Sequence, residues 1–251
     1  MTLLICRPIC SLIVLGCALH ACQRAPLTAD QVIARNTQAM GGLAAIEAVK
    51  SVEVDLHIAD PEFEVDGKYR AARPGRMRID VMASGKHVYT EALDGNRGWQ
   101  WTGEGAVIQE ESPKATAALR HGVELPGKLF GLHELRQRGH RVELAGRETI
   151  DSTNYYAVRV TLGDGYTTTL YIDPSNWLIA RRRDVRALHV DVDPTPTTIE
   201  SRFSDFRKVD GVLFPFSSRD TNLATGKVLE TVRVHSIKLN LQFDDAIFST
   251  L

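Results

Sequence analysis

From Ser51 onward the hydrophobic positions fall on every second residue. Val52, Val54, Leu56 and Ile58 alternate with Ser51, Glu53, Asp55 and His57, the pattern of a strand with one buried face. Similar runs follow at 63–71, 76–82, 87–93, 98–102 and 106–110, separated by Asp66-Gly67, Pro74-Gly75, Ser84-Gly85, Asp94-Gly95 and Gly103-Glu104-Gly105. Short strands joined by tight turns predict an antiparallel meander. Strand patterns resume at 142–148, 155–162, 166–173, 177–183, 188–192, 198–209, 213–218 and 228–241, with hairpin signals at Asp164-Gly165, Pro174-Ser175-Asn176 and Asp210-Gly211.

Two stretches have helical character instead. Thr28-Ala29-Asp30-Gln31 has the spacing of a capping box; Val32, Ile33, Asn36 and Met40 share a face behind it, and Gly41-Gly42 ends the helix. Leu43, Ile46 and Val49 continue as a short amphipathic turn. Residues 112–138 form the second stretch, broken near Pro126-Gly127, with Leu129, Phe130, Leu132 and Leu135 over a wide arc. No Pro/Ser-rich linker divides the chain, which predicts one mainly β (α+β) domain: a large, curved antiparallel sheet with two helical insertions. A sheet of this length must curl or close to limit its exposed edges.

The N-terminus breaks the pattern. Residues 9–19 are an apolar run after a single charge, Arg7. That run is shorter than the roughly 20 residues a spanning helix needs and suits the roughly 7–15 of a secretory core. Leu19-His20-Ala21-Cys22 resembles a bacterial lipobox, whose cysteine is acylated and becomes the mature N-terminus. Val14-Leu15-Gly16-Cys17 is a weaker second candidate, and a plain signal peptide with incidental cysteines is the alternative. The expected organisation is a lipoprotein signal at 1–21, a tether at 22–27 and a domain at 28–251. Gln23, where an inner-membrane retention signal would carry Asp, implies outer-membrane delivery facing the periplasm if the source is Gram-negative.

Composition narrows the function. The 251 residues are 43% hydrophobic and 24% charged with formal net charge −1, as in ordinary globular proteins. All four cysteines lie in the first 22 residues, so neither disulfides nor a Cys-ligated metal can hold the body together. G-x-S-x-G, Walker and dinucleotide-binding motifs are absent from the sequence, which speaks against an enzyme built on them. His133-Glu134-Leu135-Arg136-Gln137 starts like a zinc motif, but Gln137 stands where the second histidine is needed. His189, Asp191 and Asp193 would share one face of the 188–192 strand, and read as the polar side of an amphipathic strand. Asp244-Asp245 reads as a turn or cap. The arginines at 70, 73, 76 and 78 and the triplet 181–183 read as solvated hairpins, with lipid phosphate as the other reading; nucleic acid is a poor fit at this net charge. Trp99 and Trp101, two apart, share a sheet face and fill a core or line a pocket. No pattern asks for a metal or a cofactor.

Several segments together resemble the superfamily of the periplasmic lipoprotein carrier and its outer-membrane receptor, LolA and LolB. They are Met40-Gly41-Gly42-Leu43 leading to Val49-Lys50-Ser51, then Asp94-Gly95-Asn96-Arg97-Gly98-Trp99, Gly165-Tyr166, Tyr171-Ile172-Asp173, the stretch 203–215 and a closing Phe243-Asp244-Asp245-Ala246-Ile247-Phe248. The resemblance implies an unclosed β-barrel whose concave apolar face, covered by helices, receives acyl chains. It implies an envelope lipoprotein anchored through Cys22, binding lipid or lipoprotein acyl chains, with Trp99, Trp101, Leu129 and Phe130 as lining residues. A protein-binding or regulatory envelope module on the same scaffold is the alternative, and a hydrolase with an unrecognised site the third reading.

Overall fold

The computed structural model describes residues 25–188 and 190–249. The lipobox, with Cys17 and Cys22, and His189 lie outside them. Helix α1 (Ala29–Ala39) starts on its capping box: the Thr28 hydroxyl accepts from Gln31 N–H at 3.3 Å, and the Gln31 side chain accepts from Thr28 N–H at 2.9 Å. It ends where Gly41 passes the chain against another loop, at φ 129°, where a Cβ would lie 2.3 Å from Gly211 O. Leu213 N–H then donates to Met40 O at 2.8 Å. Helix α2 (Leu43–Glu47) follows.

The first meander is β1 (Ser51–Ala59), β2 (Glu64–Ala72), β3 (Arg76–Ala83), β4 (Lys86–Asp94), β5 (Arg97–Trp101) and β6 (Gln109–Glu110). The second is β7 (Arg141–Ile150), β8 (Thr153–Thr161), β9 (Thr167–Ile172), β10 (Ile179–Arg186), β11 (Thr197–Val209), β12 (Val212–Asn222) and β13 (Val228–Leu239). Strand β13 pairs antiparallel with β1, Val52 opposite Leu239, and joins both into one sheet of 13 strands ordered 6-5-4-3-2-1-13-12-11-10-9-8-7. The sheet is antiparallel throughout and does not close into a barrel.

This order dictates where the second insertion lies. Strands β6 and β7 are the two edges of the sheet, so the segment between them must travel from edge to edge across the mouth of the curve. It does so as α3 (Pro113–Glu124), a loop, and the single turn α4 (Glu134–Gln137). Ser112 caps α3, accepting from Ala115 N–H at 3.1 Å. Gly98 lets α3 lie on β5, because a Cβ there would meet Thr116 Oγ1 at 2.7 Å.

Two apolar cores lie under these covers. One gathers Ile46, Val52, Val54, Leu56, Met77, Leu93, Val123, Phe214 and Phe216; the other gathers Val32, Ile33, Val142, Val158, Val160, Leu170 and Ile172. The segment 125–135 contributes to both, Leu129 and Phe130 to the first and Leu125, Leu132 and Leu135 to the second.

Several expectations change. Within 106–110 only Gln109 and Glu110 pair as strand, and the expected helical stretch 112–138 is two helices around a loop. Residues 188–192 do not form a strand among the described residues. Asp191 instead braces the α3 cap, accepting from Ser112 Oγ at 2.6 Å, Asp193 accepts from Thr195 N–H at 3.0 Å, and prolines follow at 194 and 196. The arginine triplet is not a solvated hairpin but part of β10. Arg181 and Arg183 bond Glu200 at 2.8 and 2.7 Å on one face, and Arg182 points to the other.

Candidate functional site

The segment 125–138 is a lid over the concave face; Arg136 ties it to Asp30 of α1 and to Val142 O, and Arg73 makes the buried fastening. Arg73, just past β2, donates to Val49 O at 2.7 Å, to Leu129 O at 2.7 Å and to both oxygens of Glu134 at 2.5 and 3.1 Å. Its guanidinium also lies 4.5 Å from the centre of the Phe130 ring, and that of Arg138 lies 3.7 Å from it. Glu134 is 6% exposed and takes a third hydrogen bond from Gly131 N–H at 2.8 Å. Burial alone would raise its carboxyl pKa, but the Arg73 and Gly131 donors hold it below the ordinary value. The lid is thus tied by a buried ion pair to the strand meander and, through Val49, to the segment after α2.

Beneath the lid is an apolar cleft. Its floor is Phe203, Phe206, Val212, Phe214 and Pro215 of β11 and β12; Met40, Ile46 and Val49 form one wall, and Pro126 to Leu132 form the roof. The remaining cavity is about 50 Å³, against the roughly 300–1,000 Å³ of sites that enclose small ligands. The lid is shut, and its own Leu129 and Phe130 occupy the cleft.

The cleft borders a charged patch on the same concave face. Lys128 projects from the lid into the curve of the sheet, where it is solvent-accessible yet surrounded by protein, with Nζ 3.8 Å from the Tyr69 ring centre. Desolvation first, and Arg182 second, lower its pKa to about 8. Across the curve Arg186 pairs with Asp184 and Asp220, and Glu230 is pushed up to about 7 by burial and by Asp220. A second acidic group sits where α3 meets β4. Burial raises Glu91 to about 7 and Glu111 to about 8, Asp191 adding to both.

The structure separates the four lining residues expected from sequence. Leu129 and Phe130 are in the cleft. Trp99 and Trp101 do share a face, but it is the opposite one: Val54 pairs with Tyr69, Tyr69 with Ile79, Ile79 with Glu91 and Glu91 with Gln100, which leaves both tryptophans on the convex side. There the segment after β13 covers Trp99. Its indole N–H donates to Phe248 O at 2.7 Å, Arg78 donates to Ile247 O at 3.0 Å, and Phe248 is fully buried. Trp101 packs against His87, with ring centres 4.6 Å apart and planes tilted by 36°. Asp244 caps the closing turn by accepting from Ala246 N–H at 3.0 Å. Arg70, Arg76 and Arg78 each bond a carboxylate rather than standing solvated. Reasoning from sequence missed the Arg73–Glu134 clamp, although both residues stood out, one in an arginine cluster and one in the broken zinc motif. It also missed Lys128, which no periodicity marks. Among the described residues no group of three or more His, Cys, Asp or Glu stands where it could hold a metal ion.

By sequence, no family model and no curated protein matches the chain. Solved structures do. A LolA superfamily protein from Nitrosomonas europaea superposes with TM-score 0.57 at 15% identity, over 90% of this chain and 99% of that one. The fold is LolA-like. A DUF1329 family protein from Desulfovibrio piger has TM-score 0.59 at 12% identity over 88% and 97% of the two chains. An outer membrane lipoprotein-sorting protein domain from Vibrio parahaemolyticus has TM-score 0.55 at 10% identity over 88% and 97%. At these identities the likeness establishes the fold alone, one antiparallel sheet not closed into a barrel with short helices. The LolA-like arrangement also accounts for the short helices: they cover the sheet and are not themselves a bundle.

Proposed function

We propose that this chain is an envelope lipoprotein that binds an acyl chain, from a lipid or a lipoprotein, in the LolA-like cleft between sheet and lid, and is not an enzyme. The observation that carries the reading is an apolar cleft roofed by Leu129 and Phe130 and held closed by the buried Arg73–Glu134 ion pair. Similar structures described as LolA superfamily and as outer membrane lipoprotein-sorting support a lipoprotein-binding role in the envelope.

Magnitudes favour a lid that opens. Opening the lid hydrates both partners of the ion pair, so the main cost is lifting Leu129 and Phe130 out of the cleft, about 1.5–3 kcal/mol each. An acyl chain with ten methylenes buried gains about 8 kcal/mol, at about 0.8 kcal/mol each. A long chain therefore opens the lid and a short one does not, so affinity rises steeply with chain length. Lys128, at the edge of the cleft, is placed for the polar end of such a ligand. Attachment through an acylated Cys22 keeps the protein at the membrane that supplies it, the outer membrane by the Gln23 reading.

The test is native mass spectrometry of protein extracted from its own membrane, with titration of fluorescent fatty acids of increasing length. A co-purifying lipid and affinity that grows with chain length are expected. Phe214→Ala, which deepens the cleft floor, strengthens binding of the shorter probes. Absence of lipid together with no probe binding at any length refutes the proposal.

A further inference from the structure

Among the described residues, seven of the nine large apolar side chains that the fold leaves exposed lie at one end of the sheet. Phe63 is in the β1–β2 turn, Val107 and Ile108 are between β5 and β6, Val192 is between β10 and β11, and Leu223 is in the β12–β13 turn. Val185 and Val228 stand on the strands beside them. In an antiparallel sheet those turns all fall on the same rim. The curve brings its far parts together, since Asp191 of the β10–β11 loop bonds Ser112 just after β6. Val107 at 72% and Val192 at 87% are the most exposed of these side chains among the described residues. Single exposed apolar residues are ordinary, but a rim of them from four separate loops marks a contact surface.

The path of the N-terminus points to what the surface meets. Helix α1 begins at this rim: Asp30 pairs with Arg136, which donates to Val142 O at 2.8 Å beside the first residue of β7. It ends about 16 Å away, at the opposite rim, where Met40 O meets Leu213 and Asn36 reaches Trp177 O. Cys22 lies seven residues before Ala29, a reach of at most about 25 Å. An anchor there holds this rim, rather than the opposite one, towards the membrane.

We infer that the rim formed by Phe63, Val107, Ile108, Val192 and Leu223 docks on the surface of a zwitterionic lipid bilayer, immersing those side chains among the headgroups beside the Cys22 anchor. The inference rests on the anchor for its tether and is independent of what the cleft binds. Charge sets the lipid class. Asp60, Glu62, Glu104, Asp191 and Asp193 stand on these loops and Asp164 on the β8–β9 loop of the same rim, against Lys227 and, at the strand ends, Lys86 and Arg141, so the acidic excess makes an anionic surface repel the rim.

The body carries no cysteine of its own, so single thiols can be labelled there. In the full-length lipoprotein, Phe63→Cys, Ile108→Cys and Leu223→Cys each receive an environment-sensitive fluorophore, with Leu43→Cys and Leu241→Cys at the other end as references. In phosphatidylcholine and phosphatidylethanolamine vesicles holding spin-labelled lipid, the rim labels are quenched at least roughly twofold more than the references. Replacing half the lipid by phosphatidylglycerol reduces that quenching. Equal quenching at both ends, or none at the rim, overturns the inference, including the case in which a protein occupies the rim. Intact mass of the same sample reads the anchor separately. If Cys22 is unacylated the anchor reading fails, and rim docking is decided by the same quenching on added vesicles.

Discussion

Arg73→Ala is the most direct test of how the cleft is kept shut. It deletes four hydrogen bonds, to Val49 O, to Leu129 O and to both Glu134 oxygens. Glu134 then keeps only the Gly131 N–H at a position 6% exposed. Removing one partner of a buried ion pair costs about 3–5 kcal/mol. The Arg73 side chain is 21% exposed, so water reaches the gap and the lower figure, about 3 kcal/mol, applies. The missing bonds all join the lid and the segment after α2 to the end of β2, so the loss falls on lid opening before it falls on global unfolding. An opening equilibrium shifted by about 3 kcal/mol is roughly a hundredfold change. Hydrogen exchange read by mass spectrometry should show amides of residues 125–138 exchanging roughly a hundredfold faster, with β9 unchanged. Adding Glu134→Gln removes the stranded charge and recovers part of the protection. Lid exchange within threefold of the parent protein, or equal acceleration in lid and β9, would refute the clamp.

Two further outcomes follow from the same geometry. Glu91 and Glu111 carry folded pKa values of about 7 and about 8 against an ordinary 4.5, so between about pH 4.5 and 8 the folded chain holds more protons than the unfolded one and stability falls as pH rises. Going from pH 6 to 8 should cost about 3–4 kcal/mol and lower Tm by roughly 10 °C; Glu111→Gln flattens that dependence, and a Tm that rises over the interval contradicts the burial of these carboxyls. Trp99→Phe removes the indole bond to Phe248 O and should cost about 1 kcal/mol, with faster exchange confined to residues 243–249. Faster exchange in the lid instead would place Trp99 on the wrong face.

Much of the architecture is local and therefore readable along the chain. Period-two alternation with Gly and Asp turns marks β1 to β5, and the Thr28–Gln31 capping box marks the start of α1, because each depends on residues a few positions apart. The failures share one cause. Residues 188–192 alternate like a strand, but their Asp191 is held by Ser112, 79 positions earlier. The arginines of 181–183 look solvated until β7 and β11 bring Glu148 and Glu200 beside them.

What the sequence by itself determined is the set of elements, the paired faces of each strand and the apolar character of the lid. It could say that Trp99 and Trp101 share a face but not which face. That choice is a parity carried through four strand registers from β1, and a shift of one residue in any of them reverses it. The tertiary structure alone decided that β13 pairs with β1, that the lid must cross from one sheet edge to the other, and that Arg73 meets Glu134 61 positions away. Those contacts depend on strand order, and strand order is fixed by which long-range pairings bury both apolar cores at once.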